Sequence, residues 1–108
     1  KGSLMFIEVG EYVSVHDLLK GIIIQSGNDS SVALAEHVAG TEESFVGMMN
    51  HEASNLGLSN TFYMNSSGMP DANHYTSASD IAIISRALIL NFPNLYKIFL
   101  KLFHQKQV

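Results

Sequence analysis

The sequence predicts a single, mainly α domain of about five helices with very little strand. Three observations lead to that class. Apolar residues recur at three- and four-residue spacing over most of the chain. Ser, Thr or Asp stands ahead of these segments, and Gly, or Asn91 with Pro93 and Asn94, stands behind them. The 108 residues, 46% hydrophobic and 15% charged, suffice for one packed core and lie far from a disordered composition.

The elements follow in order. Leu4 to Val9 is a short apolar run ending at Gly10, read as a brief strand or an extended lead-in. Ser14 opens the first helix with Asp17 three residues on, a capping-box variant in which each side chain can satisfy an orphan N–H. Val15, Leu18, Leu19, Ile22 and Ile23 then form one apolar face, and Gly27 breaks the pattern. A second helix restarts near Asp29 or Ser30, with Val32, Leu34, Ala35, Val38 and Ala39 buried on most sides and Gly40 closing it.

Thr41 caps a third helix, whose first turn places Glu42 and Glu43 where the macrodipole favours negative charge. Phe45, Met49, Ala53 and Leu56 form its stripe, and Gly57 stops it. Thr61 to Met64 reads as a short extended piece, and Asn65 to Asp71 as a turn-rich loop. Ser77 with Asp80 repeats the capping-box pattern ahead of Ile81, Ile84, Leu88 and Ile89. Beyond Asn91, Pro93 and Asn94, a last helix turns Leu95, Ile98, Phe99 and Leu102 inward.

Several functions are excluded at this level. Ten acidic against six basic residues give a formal charge of −4, the wrong balance for a nucleic-acid binder. Cysteine is absent, which removes disulfides, thiolate zinc sites and a thiol nucleophile. No apolar run approaches the ~18 residues of a membrane span. Lys1 to Gly10 lacks the apolar stretch of a secretory leader. The start at Lys1 rather than Met leads us to expect a chain processed or cut from something larger. His51-Glu52 begins like a zincin motif, but Asn55 stands where the second His is needed, so no metal site is expected there.

Ser26-Gly27-Asn28 is the informative tripeptide. Residues i and i+2 of a continuous helix point to different sides. At a break, with Gly permitting unusual dihedrals, a hydroxyl and a carboxamide can face one cleft, an arrangement suited to acyl transfer. The same residues also fit pure capping, with Gly27 as a C′ residue and Asn28 or Asp29 as the next N-cap.

The surroundings of the tripeptide add a resemblance. Gly2 to Phe6, Val13 to Gly21, Gln25 to Asp29, Val32 to Ala35, Ala39-Gly40, Phe45-Val46 and Met49-Asn50 resemble the serine D-alanyl-D-alanine carboxypeptidases, the low-molecular-mass penicillin-binding proteins. So do Leu56 to Leu58, Asn60-Thr61, Asn65 to Met69 and Tyr75 to Ala82, so that the likeness spans about residues 2–98 in register. The resemblance implies a β-lactamase/transpeptidase-like fold, of which residues 1–108 are the helical subdomain carrying the S-x-N motif, with Ser26 catalytic and Asn28 substrate-binding.

In that family a Ser in S-x-x-K attacks the D-Ala-D-Ala end of a peptidoglycan stem peptide and forms an acyl-enzyme that water releases. Ser26 would relay a proton toward the departing D-Ala, and Asn28 would hold the substrate amide. The implied ligands are the stem peptide and β-lactams, with no metal or other cofactor, at an extracytoplasmic location. No Ser here has Lys three residues later, and neither K-T-G nor K-S-G occurs. The α/β half bearing those motifs is therefore expected to be absent from this chain, and the isolated chain to be inactive.

Two other readings remain at this point: a non-catalytic helical interaction module, and part of a serine β-lactamase, although Gly27 favours the carboxypeptidases. Nearly all-round apolar helices also suggest an open hydrophobic face and a homodimer of the chain.

Overall fold

The computed structural model describes residues 5–106, with side chains through residue 101. Five α-helices follow one another: α1 Val15–Gln25, α2 Asn28–Ala39, α3 Glu42–Asn55, α4 Ala78–Asn91 and α5 Pro93–Lys106. Three of their starts are set by side chains that satisfy orphan N–H groups. Ser14 Oγ accepts from Asp17 N–H at 3.1 Å, Thr41 Oγ1 from Ser44 N–H at 3.0 Å, and Ser77 Oγ from Asp80 N–H at 3.1 Å. Gly40, at φ 88°, closes α2 in a conformation that suits glycine, and its N–H bonds to the Glu36 carbonyl at 2.8 Å.

The described helices pack in single file, in the order α3, α2, α1, α5, α4. The segment from Gly57 to Ser77 runs between α3 and α4 and is fastened to α3 by Asn50 and Glu42 and to α4 by Asp80. On α3, the Asn50 carboxamide donates to the Tyr63 carbonyl (2.9 Å) and accepts from its N–H (2.8 Å). On α4, the buried Asp80 carboxylate accepts from Asn60 N–H (2.8 Å) and Thr61 Oγ1 (2.6 Å). Asp80 thus spends its carboxylate on a distant loop, where the capping-box pattern points it at its own helix start. Phe62 and Tyr75 form one antiparallel bridge, their N–H and carbonyl groups exchanging bonds at 2.9 and 3.1 Å.

The lead-in corrects one expectation. Met5 to Glu8 carries no regular secondary structure, and Phe6, at φ 63°, leaves the extended region altogether. Leu4 lies outside the described residues.

Burial corrects two more. Among the described residues the buried apolar side chains are Leu18, Ala35, Ala53, Leu58 and Ile98. Val38 is half exposed rather than enclosed, because α2 touches α1 and α3 and leaves its remaining arc open. The expected inner stripes of α4 and α5 are largely outside: Ile81, Ile89, Leu95 and Phe99 are exposed, as are Leu90 and Phe92; among the described side chains of these stripes only Ile98 is deep, and that of Leu102 lies outside them. The pattern of apolar residues was correct, but what would cover it is not supplied by these helices.

Candidate functional site

The Ser26-Gly27-Asn28 turn joins α1 to α2 near the middle of the file. α1 ends at Gln25, and Ser26 takes the left-handed conformation (φ 54°, ψ 39°), with its N–H returning to the Gly21 carbonyl. Gly27 N–H reaches the same carbonyl at 2.9 Å. A left-handed β-carbon-bearing residue costs about 1–2 kcal/mol, and such strain collects at functional positions.

This reverses the roles foreseen for the two residues. Gly27 has ordinary dihedrals, φ −71° and ψ 111°, and it is the N-cap of α2 rather than a C′ residue. Its requirement is space. A β-carbon there would lie 3.0 Å from Ser30 Oγ and 3.3 Å from the Gly21 carbonyl oxygen. Neither Asn28 nor Asp29 is an N-cap; Asn28 is the first residue of α2.

The two predicted site residues are both accessible. Ser26 is exposed and Asn28 half-buried. The Asn28 carboxamide donates through Nδ2 to the Met69 thioether at 3.4 Å, which places the Asn65–Asp71 loop beside the turn.

Sequence reasoning missed the residues that hold this turn. Asp29 Oδ1 accepts from Met5 N–H (2.7 Å) and Ser30 N–H (2.9 Å), while Oδ2 accepts from Ile7 N–H (2.8 Å). Burial pushes this carboxyl up, but the backbone donations from Ile7, Met5 and Ser30 outweigh it, and the group sits below its ordinary value near 3.8. Behind it the fully buried Ser30 donates its hydroxyl to the Met5 thioether at 3.0 Å. The Met5 sulfur also lies against Gly21, where no β-carbon would fit. An acid in the first turn of a helix was the available signal for Asp29, but its tertiary partners lie more than twenty residues away.

The Asn65–Asp71 loop is built on one side chain. Asn65 Oδ1 accepts from the N–H groups of Ser67 (3.2 Å), Gly68 (2.7 Å) and Met69 (3.1 Å), and Asn65 Nδ2 donates to the Met69 carbonyl (3.0 Å). Ser66 is pinned to Glu42 of α3 through its N–H (3.0 Å) and hydroxyl (2.8 Å).

A cavity of about 330 Å³ lies beside the turn, lined by Met5, Asp17, Lys20, Gly21, Ile24 and Gln25. A larger apolar hollow of about 680 Å³ sits on α3 around Phe45, Met48 and His51, away from these groups. Its size reflects an open helix face; Ser44, His51 and Glu52 also line it, but neither Ser26 nor Asn28 reaches it. Among the described residues no three His, Asp or Glu side chains come together as metal ligands, and no helix is long and apolar enough to cross a membrane.

Comparison with known proteins adds the following. A family profile described as D-alanyl-D-alanine carboxypeptidase matches residues 1–105. The chain is 48% identical over 96 residues to the D-alanyl-D-alanine carboxypeptidase DacC of Escherichia coli, covering 89% of this chain and 24% of that protein. It is 46% identical over 105 residues to DacF of Bacillus subtilis, covering 93% and 27%. Among solved structures, the carboxypeptidase DacD from Francisella tularensis superposes with a TM-score of 0.88 at 41% identity, over 92% of this chain and 24% of that one. Penicillin binding protein 5 from Haemophilus influenzae gives 0.87 at 45% identity, over 91% and 28%. The chain thus spans about a quarter of the length of these relatives.

Proposed function

The chain belongs to the D-alanyl-D-alanine carboxypeptidase family, and from that premise we propose that it is the helical subdomain of a serine carboxypeptidase acting on peptidoglycan stem peptides. The observation that carries the reading is the strained, exposed Ser26 set two residues before a half-buried Asn28, at the junction of two helices. A hydroxyl there can accept and pass on a proton, and a carboxamide can pair with an amide of the substrate.

In this reading the nucleophilic Ser and its Lys lie in an S-x-x-K motif on polypeptide outside these 108 residues. That Ser oxygen attacks the carbonyl of the penultimate D-Ala and forms the acyl-enzyme. Its proton passes by way of the Lys and Ser26 to the nitrogen of the departing D-Ala. Water then attacks the ester and releases the shortened peptide. Asn28 aligns the acyl portion throughout, and a K-T-G strand binds the terminal carboxylate. β-Lactams enter the same route as carbonyl mimics of the substrate. The location is extracytoplasmic, where that substrate is found. The open apolar face of α4 and α5 belongs against the α/β half, and in the isolated chain it pairs two copies.

Acylation by a fluorescent penicillin tests the reading in an enzyme carrying all three motifs. Ser26→Ala should slow acylation about 100-fold or more, the usual scale for a lost proton-transfer group. An unchanged rate would sink the assignment. The isolated chain should give no covalent adduct by mass spectrometry, and a stoichiometric one would place a nucleophile among these residues instead.

A further inference from the structure

We infer that Met69 is a positioning residue for Asn28, its thioether fixing which end of the carboxamide is left for the ligand. The inference rests on the reading of Asn28 as a substrate-binding group and adds the element that sets its polarity.

The two ends of a carboxamide differ chemically: Nδ2 carries two donors, and Oδ1 only accepts. A thioether sulfur can accept but never donate. The 3.4 Å contact to Met69 is therefore satisfied by Nδ2 alone. A 180° flip would set Oδ1 lone pairs against sulfur lone pairs, so the unflipped form is favoured. Among the described residues, what remains for a ligand is one Nδ2 hydrogen and the Oδ1 acceptor. That pair suits a secondary amide held in one register, with its carbonyl toward the nitrogen end.

Both partners are fixed independently, which makes the contact a constraint rather than a chance approach. Asn65 holds the N–H of Met69 at 3.1 Å and its carbonyl at 3.0 Å, so the backbone on both sides of the thioether is tied. Ser66 anchors the same loop to Glu42 on α3. Asn28 is held by its place as the first residue of α2, with Asp29 clamped beside it. The two residues are 41 apart in sequence, so neither is placed by the other's local conformation.

The test follows the Asn28 side-chain NH2 by 15N NMR in the 108-residue chain, the resonance pair being assigned by its disappearance in Asn28→Asp. Met69→Leu keeps an apolar side chain and removes the acceptor. It should speed exchange of that NH2 with water about three- to fivefold, the scale of one weak hydrogen bond. Met69→Gln, whose Oε1 is a stronger acceptor, should return exchange to the wild-type rate or slower. Melting curves identify any variant whose change is global. Wild-type exchange in Met69→Leu, or no slowing in Met69→Gln, would overturn the inference.

A second arm separates this from the functional reading. In the enzyme carrying S-x-x-K and K-T-G, Met69→Leu should raise KM for a D-Ala-D-Ala peptide by the same three- to fivefold, with kcat little changed and Met69→Gln restoring it. An Asn28→Ala enzyme with unaltered KM would overturn substrate binding by Asn28, while the NMR arm judges the Met69 contact by itself.

Discussion

Replacing Asp29 by Asn exchanges one carboxylate oxygen for an NH2 group and should loosen the turn. In the wild type Oδ1 takes the Met5 and Ser30 N–H groups and Oδ2 takes that of Ile7. Asparagine keeps one acceptor. Oriented to serve Met5 and Ser30, it turns an NH2 onto Ile7 N–H, donor against donor; flipped, it opposes the other two. Hydrogen bonds to a charged group contribute roughly 1.5–3 kcal/mol each. The site is only half-buried, however, so solvent screening cuts this, and in the better orientation the Met5 and Ser30 bonds survive in neutral form.

The expected loss is therefore about 2 kcal/mol at neutral pH, which at an m-value near 1 kcal/mol/M lowers the urea midpoint by about 2 M. The pH dependence has a fixed sign. The folded carboxyl sits below 3.8, so the unfolded state binds more protons in that window. Its contribution is present above 3.8 and lost as pH falls through the lowered folded value. Urea melts followed by circular dichroism at pH 7 and pH 3, with amide exchange read at Met5 and Ile7, provide the assay. Equal midpoints for Asp29→Asn and wild type at pH 7, or a difference that persists unchanged in acid, would refute the reasoning.

Other outcomes follow from the same geometry. Ser26→Gly relieves left-handed strain at an entropic cost and should raise stability by about 0.5–1 kcal/mol, measured by thermal melting, even as it removes the hydroxyl. Gly27→Ala pushes a methyl to 3.0 Å from Ser30 Oγ and should lower stability by about 1–2 kcal/mol in the same melts. Asp80→Ala leaves Asn60 N–H and the Thr61 hydroxyl without their acceptor and should cost about 3 kcal/mol, read by urea denaturation. The exposed apolar residues of α4 and α5 should make the isolated chain dimeric by light scattering at high concentration; a clean monomer would contradict this.

Local rules were legible where a residue acts on its near neighbours. Ser14, Thr41 and Ser77 mark three helix starts because a cap bonds three residues ahead, and Gly40 and Gly57 mark ends through their positive φ of 88° and 78°. Ser26 and Asn28 were legible as an unusual pair, but the reason for Gly27 was not. Its ordinary φ and tight surroundings depend on Ser30 and Gly21, which only packing brings close. Met69 and Asp29 stayed hidden for the same reason, since each works through a partner more than twenty residues away. The stripe on α4 misled because periodicity reports which face is apolar and says nothing of whether a neighbour covers it.

The single-file arrangement has a consequence for how the molecule comes apart. α4 is separated from the Ser26 turn by two interfaces, α4 with α5 and α5 with α1. Its other described link runs from Asp80 through the 57–77 segment to Met69 and Asn28, and the N–H bond that closes the left-handed serine onto Gly21 takes no part in it. Partial opening should therefore begin at the C-terminal end of the row and reach the α1–α2 junction late, so that amides there exchange with deuterium more slowly than those of Ile83 or Leu90.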